Sequence, residues 1–184
     1  MNVRRLLAPV VATVLALPAL ADQPRQAFPE IELTDLTGQT TALKSLRGRA
    51  TVLNFWATWC GPCRIELPEL QKVLNELGAK GLVVLAINVD LPPAQDEAAF
   101  AQEFAAAKPR LEAFLSASNV TLPVFLADGK SQQMLDLERI PLTVLLDADG
   151  GVVRAYAGYS PAAIKDLREQ AVKLLGAGAR QGGK

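Results

Sequence analysis

The 184-residue chain contains no histidine. That absence removes the imidazole base on which Ser-His and Cys-His nucleophilic catalysis depend. It also counts against zinc, because a tetrahedral site needs about four ligands and the chain offers two cysteines, so carboxylates would have to supply the rest. No metal is expected. Net charge is lacking too: 19 Lys and Arg residues balance 19 Asp and Glu residues. A neutral chain has no electrostatic reason to hold nucleic acid or anionic lipid. There is no internal repeat and no long linker, and after the first 21 residues no run is apolar and long enough to cross a bilayer. Half of the residues are hydrophobic, which argues against disorder, and the length suits one domain with its own core.

The N-terminus has the form of a secretory signal. Arg4 and Arg5 precede an apolar stretch from Leu6 to Leu20, and Ala19-Leu20-Ala21 is a small-x-small cleavage pattern. Residues 1–21 are therefore expected to be a signal peptide, with the mature chain starting at Asp22. A retained membrane anchor is the less favoured alternative, because the stretch is short for a span and is interrupted by Pro9 and Pro18. Removal of Arg4 and Arg5 leaves 17 basic against 19 acidic residues, a net charge of −2.

Both cysteines lie in one pentapeptide, Trp59-Cys60-Gly61-Pro62-Cys63, at the end of an apolar run and the start of an amphipathic helix. Two sulfurs separated by two residues can close a reversible disulfide. A helix N-terminus beneath the first sulfur favours its thiolate through the dipole and the unpaired backbone N–H groups. A purely structural bridge is a poor explanation, since so short a loop constrains the unfolded chain by only roughly 2 kcal/mol. The pattern points to redox chemistry.

Around this motif, strand-like and helix-like segments alternate. Ile31–Leu33 and the Thr37-Gly38-Gln39 turn form a short N-terminal β element. Thr51–Trp56 and Leu82–Val89 are apolar on both faces, as central parallel strands are. A helix from about Pro62 to a stop at Gly78 contains Pro68, where a kink is expected. Phe100, Phe104, Ala107, Leu111 and Phe114 form a core stripe on a helical segment from Asp96 to Ser118, which Lys108-Pro109 is expected to divide or bend. Leu122–Leu126 is a further strand candidate, and Gln132–Arg139 a short helix or turn. Thr143–Leu146 and Val152–Tyr156 flank an Asp- and Gly-rich turn and form an antiparallel hairpin. A last helix is capped by Ser160, starts with Pro161 and is expected to stop at Gly176. The result is an α/β domain with a mixed sheet and helices on both faces.

The run Asn54-Phe55-Trp56-Ala57-Thr58-Trp59-Cys60-Gly61-Pro62-Cys63-Arg64-x-Glu66-x-Pro68, with Ile140-Pro141-Leu142-Thr143 further on, resembles the extracytoplasmic thioredoxin-like proteins of the TlpA/ResA/CcmG group. The resemblance extends from about Phe28 to Leu175. It implies a thioredoxin-like domain over residues 22–176 with an N-terminal β extension and an inserted helical segment, followed by a flexible tail at 177–184. It implies that Cys60 is the exposed attacking thiol, Cys63 the buried resolving thiol, and Pro141 a cis proline beside them. Ile140 becomes a substrate-contact position, and Trp59, Gly61 and Pro62 flank the site. Glu66, three residues after Cys63 on the same helical face, is expected to exchange protons with the thiols; the competing possibility is a solvated first-turn glutamate. Asn54 stands where cytoplasmic thioredoxins carry a buried aspartate and cannot act as a base. Trp56 is expected in the core, and Arg64 outside the site.

These residues imply a thiol–disulfide oxidoreductase acting outside the cytoplasm, as a reductase of specific protein disulfides. No cofactor is expected beyond the Cys60–Cys63 pair. Apocytochrome c is one candidate substrate, a membrane donor of the DsbD/CcdA kind is the implied source of electrons, and the protein is expected to be a monomer. The alternatives are a disulfide oxidase or isomerase, and a thioredoxin-fold binding module that leaves its thiols idle. A copper carrier of the Sco type fits less well, because it adds a histidine ligand and spaces its cysteines more widely.

Overall fold

The computed structural model describes residues 25–178 apart from 49, 93, 128 and 136, so the expected signal peptide lies outside the described residues. In chain order the elements are β1 (Glu32–Asp35), β2 (Thr40–Ala42), α1 (Leu43–Leu46), β3 (Ala50–Trp56), α2 (Gly61–Leu77), a 3-10 turn (Gly78–Lys80), β4 (Leu82–Asn88), α3 (Glu97–Ser118), β5 (Val124–Ala127), α4 (Gly129–Leu135), β6 (Leu142–Asp147), β7 (Val152–Ala157) and α5 (Pro161–Gly178). The described strands form one seven-stranded sheet in the order β2-β1-β5-β4-β3-β6-β7. β3 pairs in parallel with β4, and β4 with β5, whereas β6 lies antiparallel to β3 and forms a hairpin with β7.

The largely apolar character of β3 follows from its central place, because every residue from Ala50 to Trp56 is buried. Alternation along the strand divides its side chains between two cores. Val52 and Trp56 face Leu67 and Leu70 of α2, Leu111 of α3 and Leu167 and Ala171 of α5. Leu53 and Phe55 face the other way, onto Ile31, Leu43 of α1 and Leu33 of β1, with Phe28 stacked on Phe55 at 6.3 Å. The long helices thus share one face, and the short ones and the N-terminal segment cover the other.

Two local expectations are corrected. Pro109 does not divide α3, which runs unbroken from Asp96, whose side chain caps the Ala99 N–H at 2.8 Å. Both Pro109 and Ala105, whose carbonyl the proline leaves unpaired, are exposed, so water can serve that oxygen while Ala107 and Leu111 hold the buried face. α2, by contrast, passes through Pro68 without ending, as expected. It ends at Leu77 with Gly78 as its C-cap, as expected, and after the short 3-10 turn the chain reverses at Gly81, whose φ of 102° lies in the left-handed region that suits glycine. α5 continues past Gly176 to Gly178, because buried Leu175 ties the last turn to the core. The rest of the expected tail lies outside the described residues.

Candidate active site

The parallel strand β3 ends at Trp56, and the turn Ala57–Cys60 delivers the chain to α2. Cys60 is the N-cap of that helix: its Sγ accepts the Cys63 N–H at 3.2 Å, and Pro62 stands in the first turn. The two sulfurs are joined as a disulfide. Cys60, expected at the surface, retains only 5% exposure, because its sulfur is folded over the helix start and bonded to Cys63, which has none. Solvent nevertheless reaches residue 60 and not residue 63. Around it Trp59 is 72% exposed, and Gly61 and Pro62 are exposed as well.

The turn is pinned from β4. Asp90, just beyond the strand, has a side chain 1% exposed whose oxygens accept the Thr58 N–H at 2.8 Å and the Thr58 hydroxyl at 2.7 Å. Arg110 of α3 approaches the same carboxylate at 3.9 Å. The inserted helix also meets the site through Phe114, which packs on Trp56 at 5.2 Å and under the Arg64 guanidinium at 5.3 Å. Trp56 is fully buried, and Arg64 is spent on this ring.

Ile140–Pro141 is a cis peptide, placed by β6, whose residue Leu142 pairs with Phe55 near the end of β3. The Pro141 carbonyl accepts the Gly158 N–H at 2.7 Å. Trp59, Val89, Leu91, Leu137, Glu138, Arg139 and Ile140 line a groove of about 550 Å³. It joins the two sequence-distant site segments in one concavity, mostly apolar with a charge of each sign on its rim. A second cavity of about 490 Å³, between the first half of α3 and the β1–β2 hairpin, contains none of these residues.

Glu66 is not a solvated first-turn glutamate. It is 1% exposed, with Oε2 accepting the Asn54 amide N–H at 3.0 Å and Oε1 accepting the Thr143 hydroxyl at 3.0 Å. Burial pushes its carboxyl above the usual carboxylate range, and the two hydrogen bonds pull part of the way back. Thr143, Asp90 and the groove residues Val89, Leu91, Leu137, Glu138 and Arg139 had not been singled out from the sequence. The signal for Thr143 and Asn54 is that each is a polar residue within a largely apolar strand run, where burial demands a hydrogen-bond partner.

A reactive cysteine pair at a helix N-terminus, a cis proline opposite and a mixed sheet with flanking helices define a thioredoxin-like thiol–disulfide oxidoreductase. Comparison with known proteins agrees. The AhpC/TSA family model matches residues 24–173, and the chain belongs to that family. It is similar to the thiol-disulfide oxidoreductase ResA of Geobacillus kaustophilus, 30% identical over 133 residues that cover 71% of this chain and 67% of that one. The thioredoxin-like protein YneN of Bacillus subtilis is 28% identical over 136 residues, 74% of this chain and 72% of its own. Among solved structures, a putative thiol:disulfide interchange protein DsbE from Chlorobium tepidum superposes with a TM-score of 0.67 at 26% identity, covering 83% of this chain and 98% of the other. The TlpA/ResA/CcmG resemblance is thereby borne out, as are the fold class and the enzyme class.

Proposed function

We propose that this enzyme reduces disulfides of protein partners outside the cytoplasm, with Cys60 attacking and Cys63 resolving. The Cys60 thiolate attacks one sulfur of the partner disulfide; a Cys60–partner bond forms, the partner S–S bond breaks, and the released partner sulfur takes up a proton. Glu66 accepts the Cys63 proton. The Cys63 thiolate then displaces the partner's remaining sulfur from Cys60, which closes the Cys60–Cys63 disulfide and completes a two-electron transfer. The groove between Trp59 and Ile140 receives the partner's chain beside the reacting sulfur, and Gly61, Pro62 and Pro141 flank it.

The observation that carries this reading is the joined sulfur pair at the head of α2, with exposure remaining at residue 60 alone. The leader-like residues 1–21 support export, after which a membrane donor of the DsbD/CcdA type restores the dithiol in an otherwise oxidising compartment. Apocytochrome c is the substrate the ResA and CcmG resemblance favours. Reduction of insulin and of oxidised apocytochrome c by wild type, Cys60→Ser and Cys63→Ser tests the scheme. Wild type turns over, Cys60→Ser does not, and Cys63→Ser stalls as a mixed disulfide with its substrate. A wild type that turns over no disulfide overturns the enzyme reading, and an equilibrium with glutathione as oxidising as that of a disulfide oxidase overturns the direction.

A further inference from the structure

Pairing of β3 with β6 sets Asn54 directly opposite Thr143, and the first turns of α2 lower Glu66 onto both. All three side chains are buried. The Thr143 hydroxyl donates to Glu66 Oε1; the Asn54 amide nitrogen donates to Glu66 Oε2 at 3.0 Å and to Thr143 Oγ1 at 2.9 Å, closing a triangle. Asn54 Oδ1 is left over, buried and without a hydrogen-bond partner. A structural tie between helix and sheet needs the triangle but not a spare acceptor, and an orphaned buried oxygen is costly.

The spare acceptor has a use if the carboxyl changes charge. Ionised Glu66 needs donors, and Thr143 Oγ–H and Asn54 Nδ2 supply them. Protonated Glu66 has an O–H that needs an acceptor: a half-turn of the Asn54 amide brings Oδ1 to where Nδ2 stood, between Glu66 Oε2 and Thr143 Oγ1, and the one Thr143 hydroxyl proton, free to rotate, then serves either Glu66 Oε1 or Asn54 Oδ1. Neither change moves the backbone. We propose that Asn54 and Thr143 are positioning residues that hold the Glu66 carboxyl in place in both charge states, so that it takes the Cys63 proton and later returns it. This rests on the role given to Glu66 above. The balance is complete: the Cys63 thiol passes its proton to Glu66 as its thiolate displaces the partner sulfur. When a dithiol donor later reopens the Cys60–Cys63 bond, Cys63 leaves as thiolate and recovers the proton from Glu66.

Among the described residues, the charged groups nearest this site are engaged elsewhere. On the same helix stand Cys60 and Cys63, with Arg64 turned to Phe114. Tyr156 of β7 is the cross-strand neighbour of Thr143, but its hydroxyl donates to Asp166 at 2.8 Å, which Arg154 also meets. Arg168 of α5 is paired with Glu76, and Asp90 is turned to Thr58. In the oxidised protein burial raises the proton affinity of Glu66 and the two hydrogen bonds lower it.

The test follows the Glu66 carboxyl carbon by NMR against pH in the oxidised protein, where the sulfurs do not titrate, together with single-turnover reduction of oxidised glutathione. Thr143→Val removes a donor to the ionised form, so the Glu66 midpoint rises, and reduction on the acid side slows about tenfold, the scale of one charge-assisted hydrogen bond. Thr143→Ser restores both, and Thr143→Ala serves if the valine variant does not fold. In a Glu66→Gln background Thr143→Val has no further effect on the rate. An unmoved midpoint overturns the proposal, as does a rate loss that persists undiminished without Glu66. A Glu66→Gln enzyme with the wild-type rate at every pH is a separate failure: it removes the base from the mechanism and leaves the sulfur exchange standing.

Discussion

Replacing Asp90 by Ala removes the group that fixes the active-site turn. Its buried carboxylate holds the Thr58 N–H at 2.8 Å and hydroxyl at 2.7 Å, and hydrogen bonds to a charged acceptor contribute ~1.5–3 kcal/mol each. Release of the carboxylate from its buried position offsets part of that sum, and the Arg110 guanidinium, more than half exposed at 3.9 Å, adds little. A net loss of ~3 kcal/mol is expected, which for a domain of this size lowers the melting temperature by roughly 6–12 °C. Thermal unfolding by circular dichroism reads the loss directly, and a double-mutant cycle with Thr58→Val assigns it. Thr58→Val alone loses one of the two bonds, but in the Asp90→Ala background it removes a hydroxyl that already has no acceptor. The two changes must therefore couple by at least about 1 kcal/mol, well beyond the roughly 0.3–0.5 kcal/mol within which independent sites add. Additive effects, or a melting temperature within about 2 °C of wild type for Asp90→Ala, would show that the turn does not depend on this carboxylate.

Glu66→Gln makes stability less dependent on pH. The folded carboxyl is held above its ordinary value, so the native state binds the proton more tightly than the unfolded chain, and wild-type stability falls as pH rises from about the unfolded value near 4.5 through the raised folded one. Melts from pH 4 to 8 should show the glutamine variant gaining on wild type over that window and the gap staying constant above it; a gap independent of pH contradicts the burial argument. Trp59→Ala, at a side chain 72% exposed, is expected to change stability by no more than ~0.5 kcal/mol while raising KM for a protein disulfide about tenfold at unchanged kcat. Insulin-reduction kinetics decide it, and equal KM values would remove Trp59 from the docking surface. Gly81→Ala forces a side chain into a φ of 102° and should cost about 1–2 kcal/mol in denaturant melts, with activity at permissive temperature retained.

What the sequence made legible were the features that residue order alone determines. The β3 run, the cysteine pair closing a helix start, the Ser160 cap and the β6–β7 hairpin are all local, and the fold follows from their order. The cis form at Pro141 was supplied by the resemblance, since most X–Pro bonds are trans. What remained hidden depends on pairing across the sheet. Glu66 could be placed on the face of Cys63 by helical spacing, but its depth depends on Asn54 and Thr143, which lie 89 positions apart and meet only through the β3–β6 register. The grip of Asp90 on Thr58 arises in the same way from the parallel β3–β4 pair. Proline misled at position 109 because its effect depends on whether the carbonyl it orphans faces water or core, which only the packing of α3 reveals.

The central claim is that the sulfur of Cys60 is the one that meets the partner. Limited alkylation of the fully reduced, folded protein with iodoacetamide at neutral pH, followed by mass mapping of both positions, tests it most directly. Label on Cys60 with Cys63 unmodified until the protein is denatured is the expected result; label on Cys63 first, or on neither while the protein stays folded, would contradict the account.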